Sequence, residues 1–460
     1  MQRSGAGAAY LNIFHWDIEE FLSTKKINSD EKVRMKTLSI GVTVPDKFIE
    51  LAKENKPMYV FAPYSVYKAT GEHLDDMDLD ERYDELVANP NIKKRELDPR
   101  KLLTNITRTQ FESGYPYLVF TSTANKEHAL KDLGRIKMSN LCTEIFQLQE
   151  TSTINNYDET DYIRKDISCN LGSLNIANVM ETKNFEGSVK TAIRALSAVS
   201  DSMNIKNAPG VVRANKELHS VGLGALNLHG YLTKVKIAYE SDYAKEFART
   251  FFMMMNYYSI KASCEIAKDL GETFVGFENS EYAKGTYFDK YLTIDYRPVS
   301  DKVCMLFKDM YVPSPEDWSN LKEEVSKYGL YNAYRLAIAP TQSIGYVQNA
   351  TPSVAPIVDL IERRTYGDST TYYPMPYLDM SNVFFYKSAY NMSMYKFIDL
   401  MAEIQEHIDQ GVSATLYVDS NTTTRELGRY YLYAHHKGLK SLYYTRTKNL
   451  SVAECESCSV

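Results

Sequence analysis

Ala414-Thr-Leu-Tyr-Val418, then Thr423-Thr-Arg-Glu426, then Gly438 and Ser441-Leu-Tyr-Tyr-Thr-Arg-Thr447 form the stretch on which the fold class turns. The outer pieces are short runs of strand composition. Between them, Thr423 with Glu426 three residues on has the form of a capping box, and Gly438 after His435-His436-Lys437 has that of a helix C-cap. Strand, helix and strand in that order favour a parallel pair joined by a crossover. Outward from this unit the same alternation recurs. Leu38–Val44, Met58–Phe61, Tyr117–Phe120 and Leu336–Ala339 are further strand candidates. Helical periodicity marks Pro45–Asn55, Arg100–Ser113, Ser188–Asn204, Tyr243–Leu270, Pro315–Tyr328 and Tyr395–Gln410. The class is α/β.

The 460 residues are 44% apolar and 24% charged, enough to bury a full-sized core. That composition excludes a disordered chain, a collagen-like repeat and a disulfide-stapled mini-protein. With 53 basic against 59 acidic side chains the net charge is −6. No basic surplus calls for nucleic acid or an anionic membrane as partner. The densest apolar run, Phe251 to Tyr258, is interrupted by Asn256 and is far short of the roughly 18 residues of a membrane span. Met1-Gln2-Arg3-Ser4-Gly5 runs on to Asp17, Glu19 and Glu20, unlike a signal peptide, and the expected location is cytoplasmic. With no repeat or linker visible, residues 1–447 are expected to form one body and 448–460, which lack apolar periodicity, a flexible tail.

Six cysteines carry most of the chemical information. Cys264 and Cys304 sit in apolar, helix-like surroundings and read as core. Met138-Ser-Asn-Leu-Cys-Thr-Glu-Ile145 is different. If this segment is extended, Asn140, Cys142 and Glu144 share one face, with Leu141 and Thr143 on the other. A carboxylate neighbour disfavours a thiolate, so a thiol so placed suits hydrogen-atom chemistry better than acyl transfer. On spacing alone, the plainer reading is Cys142 as a core cysteine with Glu144 as a cap. Cys169, in Lys165-Asp-Ile-Ser-Cys-Asn-Leu-Gly-Ser-Leu-Asn175, would by itself be called buried and inert. Cys455-Glu-Ser-Cys458 is too close to the end to be core and has no further zinc ligands at suitable spacing. It reads as an exposed dithiol able to exchange with other disulfides, with an accidental pair as the alternative.

Two more segments carry polar groups at turns. Ala339-Pro-Thr-Gln-Ser-Ile-Gly-Tyr346 can aim backbone N–H groups and hydroxyls at a phosphate, though it lacks the Gly-Lys-Ser ending of a Walker loop, and a plain surface turn is the alternative. Tyr443-Tyr444 places two tyrosines side by side in a strand, where ideal geometry would send them to opposite faces. In a chain with 36 tyrosines such a pair can be simple packing.

Asn-x-Cys-x-Glu at 140–144, Asp-Ile-Ser-Cys-Asn-Leu-Gly-Ser-Leu-Asn at 166–175, Pro-Thr-x-Ser-Ile at 340–344, Tyr443-Tyr444 and the terminal Cys-x-x-Cys occur in one order. That order resembles the catalytic large chain of class I ribonucleotide reductase, most closely the class Ib branch. Phe111-Glu-Ser-Gly-Tyr-Pro-Tyr117, Gly222-Leu-Gly-Ala-Leu-Asn-Leu-His-Gly-Tyr231, Glu316-Asp-Trp318 and Tyr328-Gly-Leu-Tyr331 extend the likeness along the whole chain.

The resemblance implies a ten-stranded α/β barrel with the radical cysteine on a central finger loop. Cys142 would carry a transient thiyl radical that takes the 3′ hydrogen of a ribonucleoside diphosphate. Glu144 would be the base at the 3′ hydroxyl, and Asn140 would orient the ribose. Leu141 and Thr143 would line the same site. Pro340, Thr341, Gln342, Ser343 and Ile344 would hold the diphosphate. Tyr443 and Tyr444 would relay an oxidising equivalent from a separate small subunit containing a di-metal (iron or manganese) centre and a tyrosyl radical. The large chain itself would bind no cofactor directly. Cys169 would be one of two cysteines that reduce the 2′ position, and Cys455 with Cys458 would recharge them from a thioredoxin- or glutaredoxin-like protein. Arg3, Ser4 and Gly5 resemble the specificity loop, where a nucleoside triphosphate effector influences the substrate base. The assembled large subunit would be a homodimer.

The family's other reducing cysteine lies upstream of the radical cysteine, and no cysteine precedes Cys142 here. The chain also opens within what resembles the specificity loop. It is therefore expected to be the C-terminal piece of a split or truncated large subunit, lacking the first barrel strands, inactive alone and restored by a complementing N-terminal fragment. Unpaired strand edges would make the isolated chain aggregate or bind that fragment tightly. Two alternatives stand beside this: a cobalamin-dependent reductase, against which the tyrosine pair and tail speak, and a non-catalytic fragment acting in subunit assembly or regulation.

Overall fold

The computed structural model describes residues 5–366 and 369–448 as a mixed α/β structure. It comprises two compact units, Met1–Lys126 with Arg135–Phe146 and Ser413–Val460, and Glu127–Gly134 with Gln147–Val412.

The first unit is built on a sheet in the order Ala8–Asn12, Ser39–Val44, Tyr117–Phe120, Ser441–Leu442. The first three strands run parallel, and Ser441–Leu442 lies antiparallel with Ser441 opposite Val119. Ser39–Val44 is buried along its entire length, which explains its unbroken apolar and small-residue composition. Leu416–Val418 and Thr445–Thr447 form the expected parallel pair, joined through the helix Thr424–His436. At the start of that helix the Thr423 hydroxyl accepts the Glu426 N–H. The Glu426 carboxylate accepts the Tyr430 hydroxyl, so half of the expected capping box forms. Gly438 adopts a left-handed φ of 82°, as a C-terminal glycine does. Gln110, on the helix Pro99–Ser113, binds the unit together: its amide oxygen accepts from Tyr431 and from Thr445, and its Nε2 donates to the Pro116 carbonyl.

The strand predicted at Ser441–Thr447 is broken. It leaves one sheet after Leu442 and enters another at Thr445, so Tyr443 and Tyr444 occupy the crossing point. There Tyr443 N–H bonds to Ala414 O, and Leu416 N–H to Tyr444 O.

The second unit is organised around the helix Asp242–Leu270, 29 residues long and buried on nearly every face. Asn256, the polar interruption in its apolar run, is fully buried and satisfied by Tyr287 and Tyr291. Leu171–Asn175 pairs in parallel with Gly222–Leu226, and residues 336 and 338 continue the arrangement by parallel bridges to Leu223 and Val412. Gly224 permits the approach: a Cβ there would stand 2.5 Å from the Ala337 carbonyl oxygen. The strand predicted at Leu336–Ala339 is thus an extended run held by isolated bridges. The helix predicted to reach Gln410 ends at Gln405, because 409–412 is drawn alongside 335–338. Asp409 accepts the N–H groups of Arg335 and Leu336, and Ile338 donates to Gly411. Cys264 is buried as expected. Cys304 is not core: the short helix Asp301–Leu306 turns Val303 inward and leaves Cys304 exposed. Among the described residues no helix is long and apolar enough to cross a membrane.

Candidate active site

Residues 139–145 do not form the extended strand on which the shared face of Asn140, Cys142 and Glu144 was predicted. They make a tight turn closed by its own side chains. Asn140 Oδ1 accepts the N–H groups of Glu144 at 3.1 Å and Ile145 at 3.2 Å. Ser139 Oγ donates to Ile145 O at 2.7 Å. Thr143 sits at a φ of 64°, a left-handed conformation that a β-branched residue adopts at a cost of about 1–3 kcal/mol. Such strain persists only where neighbours over-determine it, and two hydroxyls do so here. Ser441 Oγ donates to Thr143 O at 2.9 Å, and Tyr10 Oη donates to Asn140 O at 2.7 Å.

The turn carries Glu144 into a dry interior. Its side chain is almost wholly buried, and Oε2 has no hydrogen-bond partner among the described residues. Burial pushes the carboxyl up to about 7, while hydrogen bonds from backbone N–H and from the Asn140 side chain draw it partly back. Such a group exchanges a proton near neutrality.

Cys142 is partly accessible, and the Tyr443 hydroxyl points at its sulfur, 3.6 Å away. Tyr443 is buried, and its ring lies 4.5 Å from that of Tyr444, centroid to centroid, at 67°. The broken strand explains why adjacent tyrosines can touch. On its other side Tyr443 meets Tyr117 at 4.7 Å, and Tyr117 meets Tyr115 at 5.2 Å. The first unit therefore brings together Asn140, Cys142, Glu144, Tyr443 and Tyr444. Sequence reasoning did not assign Tyr10, Tyr117 or Ser441 to this site. Tyr117 closes a stretch quoted for the family likeness; Tyr10 has no local signal that separates it from the other tyrosines.

Cys169 and residues 340–344 belong to the second unit. Contrary to what its surroundings alone suggested, Cys169 is exposed rather than buried. The residue before it is clamped: Gln147 accepts the Ser168 N–H at 3.2 Å and donates to the Ser168 carbonyl at 2.9 Å. Gln147 also donates to the buried Gln410 amide. Pro340, Ser343 and Ile344 are exposed and Gln342 half-buried, at the start of the short helix Gln342–Val347. Thr341 is buried, and its hydroxyl accepts the Ser353 N–H at 2.7 Å. Arg3, Ser4, Cys455 and Cys458 lie outside the described residues; Gly5 is exposed. Among the described residues no cluster of three or more His, Cys, Asp or Glu is suited to a metal ion.

Residues 1–445 match the family model described as ribonucleotide reductase, barrel domain. The chain belongs to that family. The ribonucleoside-diphosphate reductase subunit alpha of Bacillus subtilis is 56% identical over 459 residues, covering 100% of this chain and 66% of that protein. The subunit alpha of Mycoplasma pneumoniae is 41% identical over 477 residues, with the same 100% and 66% coverage. That of Treponema pallidum is 29% identical over 475 residues, covering 99% of this chain and 54% of that protein. The reductase barrel-domain stretch described here thus spans 66% of the length of the first two relatives.

Proposed function

We propose that this chain is the catalytic portion of a ribonucleoside-diphosphate reductase, which forms 2′-deoxyribonucleoside diphosphates for DNA synthesis by thiyl-radical chemistry. The observation that carries the proposal is the Tyr443 hydroxyl 3.6 Å from Cys142 Sγ, beside a buried Glu144 with one unmatched oxygen. Family membership and the names of the relatives support it.

In the proposed reaction an oxidising equivalent reaches Tyr444 and Tyr443 from a separate small subunit, whose di-metal centre and tyrosyl radical supply it. The Tyr443 phenoxyl takes a hydrogen atom from the Cys142 thiol, restoring the phenol and leaving a thiyl. The thiyl takes the hydrogen atom from C3′. Glu144 accepts the proton of the 3′ hydroxyl, for which a carboxyl near 7 is suited. Asn140 holds Glu144 and the turn with its amide oxygen, leaving an amide hydrogen for the ribose; Leu141 and Thr143 complete the turn. Cys169 and a second thiol then lose two electrons and two protons to form a disulfide. The 2′ hydroxyl leaves as water with one of those protons, and the other proton and the two electrons supply the new hydrogen at C2′. The borrowed hydrogen returns to C3′, and Glu144 gives its proton back to the 3′ oxygen. No cysteine precedes Cys142 in this sequence, so the second thiol comes from outside these residues. Cys455 and Cys458 re-reduce the disulfide and are recharged by a thioredoxin- or glutaredoxin-like protein. Backbone amides and hydroxyls of Pro340–Ile344 hold the diphosphate. Arg3, Ser4 and Gly5 lie against the base under the control of a nucleoside triphosphate effector. Residues 1–447 contribute to a ten-stranded barrel, 448–460 form its redox tail, and the assembled large subunit is a cytoplasmic homodimer.

The test uses the assembled enzyme, with the remaining length of the large subunit and the small subunit supplied, and a 3′-deuterated ribonucleoside diphosphate. A deuterium isotope effect is expected with the native chain, and no deoxynucleotide with Cys142→Ser. Product from the Cys142→Ser enzyme would end the proposal.

A further inference from the structure

We propose that Tyr10 is a positioning residue of the 140–145 turn, holding it in the closed form that keeps Glu144 dry. The inference deepens the reductase proposal and takes from it the role of that turn.

The first observation is how Tyr10 gets there. It stands in the strand Ala8–Asn12, paired in register with Gly41 of the neighbouring parallel strand. Its ring lies directly over that glycine: a Cβ at position 41 would come within 2.2 Å of the ring. The missing side chain opens a shelf across the adjacent strand. The ring fills it and packs against Val119, Ala124, Ile136 and Phe146, with little freedom left to choose another rotamer.

The second observation is what the shelf delivers. The Tyr10 hydroxyl donates to Asn140 O at 2.7 Å, and the weaker Thr143 N–H contact to the same carbonyl is 3.4 Å long. Asn140 is the residue whose side chain binds the N–H groups of Glu144 and Ile145. Tyr10 therefore fixes the backbone of the residue that fixes the carboxyl. Burial raises the phenol's own pKa, with Glu144 and Cys142 adding to the effect, so it remains a donor throughout the working range.

The experiment follows Glu144 itself, in this chain, by carboxyl titration with isotope-labelled glutamate and Glu144→Gln as the assignment control. Amide exchange at Glu144 and Ile145 is the second readout. Tyr10→Phe keeps the ring on its shelf and removes only the donor. Losing one buried hydrogen bond should speed exchange at the two amides roughly fivefold to tenfold. Water admitted to the opened turn should move the Glu144 midpoint down from about 7 toward the ordinary carboxylate range. Gly41→Ala keeps the hydroxyl but displaces the ring, and should give the same signature. Protected amides in Ser39–Val44 verify that both variants are folded. A Tyr10→Phe chain with native exchange at 144 and 145 and an unmoved midpoint would overturn the inference, since Tyr10 would then be packing alone. Neither readout needs turnover, so failure here is distinct from failure of the reductase proposal.

Discussion

Two buried charged sites, one in each unit, are built on opposite terms. In the second unit Arg335 is fully buried, yet its guanidinium bonds to Tyr282 and Ser259 and lies 3.5 Å from Asp409. Asp409 in turn accepts the backbone N–H groups of Arg335, Leu336 and Gln410. In the first unit Glu144 is as deeply buried and, like Arg335 with its Nη1, leaves one atom, Oε2, unmatched among the described residues, but it has no charge of opposite sign beside it. The first arrangement locks charge in place; the second leaves a proton's position undecided near pH 7. A buried ion pair of that kind organises a fold, whereas a buried acid without one is destabilising and persists for its chemistry.

The largest expected effect tests the locked site. Arg335→Met should remove about 3–5 kcal/mol from the stability of the second unit, because Asp409 is left as a buried charge without its cation. Loss of amide-exchange protection along 335–338 and 409–412 measures it. A tolerated Arg335→Met would erase the contrast, since both sites would then be equally dispensable to folding.

Glu144→Gln should move stability the other way. The folded carboxyl titrates near 7 and the unfolded one near its ordinary 4.5, so the folded state holds the proton more tightly. Glu144 is harmless to stability below about pH 4.5; as pH rises through about 7 the native chain loses up to roughly 3 kcal/mol, then no more. The glutamine variant should therefore unfold at higher denaturant than the native chain at pH 8, with the difference vanishing at pH 4.5. Equal stability at pH 8 would mean that the carboxylate has a cation beside it in addition to its backbone and Asn140 hydrogen bonds.

The sequence announced these two sites very unequally. Cys142 and Glu144 were legible because an amide, a thiol and a carboxylate stand at alternate positions 140, 142 and 144, and the likeness of the surrounding motifs gave them roles. Their geometry was not. Alternation along a strand predicted a shared face, whereas Asn140 folds back on the N–H groups of 144 and 145 and makes a turn. Periodicity placed the helix Pro315–Tyr328 closely, since Trp318, Leu321 and Val325 are buried at helical intervals, and the long apolar run placed Asp242–Leu270, which is buried on nearly every face. Periodicity overran Gln405, where a polar side chain, Asp409, pulls the chain away to pair with 335–338. Tyr443-Tyr444 was visible as a pair, but only the change of sheet between Leu442 and Thr445 explains why the rings meet. Arg335 and Tyr10 were invisible because their partners lie 74 and 130 residues away.

In the assembled enzyme the same carboxyl should set the acid limb of the pH profile. As a base Glu144 works when ionised, so turnover should rise as pH increases through about 7 and level off above it. Well below the midpoint each pH unit should cost about tenfold, or about 1.4 kcal/mol. A flat profile between pH 5 and pH 8 would place the proton transfer elsewhere.

The smallest effect sharpens the contrast most. Ser441 holds Thr143 O as Tyr10 holds Asn140 O, so one short turn hangs from two hydroxyls on different strands. Ser441→Ala should cost about 1 kcal/mol, read as faster amide exchange at Glu144 and Ile145. Each bond by itself resists the same motion, the relaxation of Thr143 from its left-handed φ of 64°. Once either is lost, part of that strain is released and the other bond has less left to restrain. The double variant Ser441→Ala, Tyr10→Phe should therefore open the turn by less than the sum of the two single effects. Strict additivity would mean that the two hydroxyls act on independent parts of the turn.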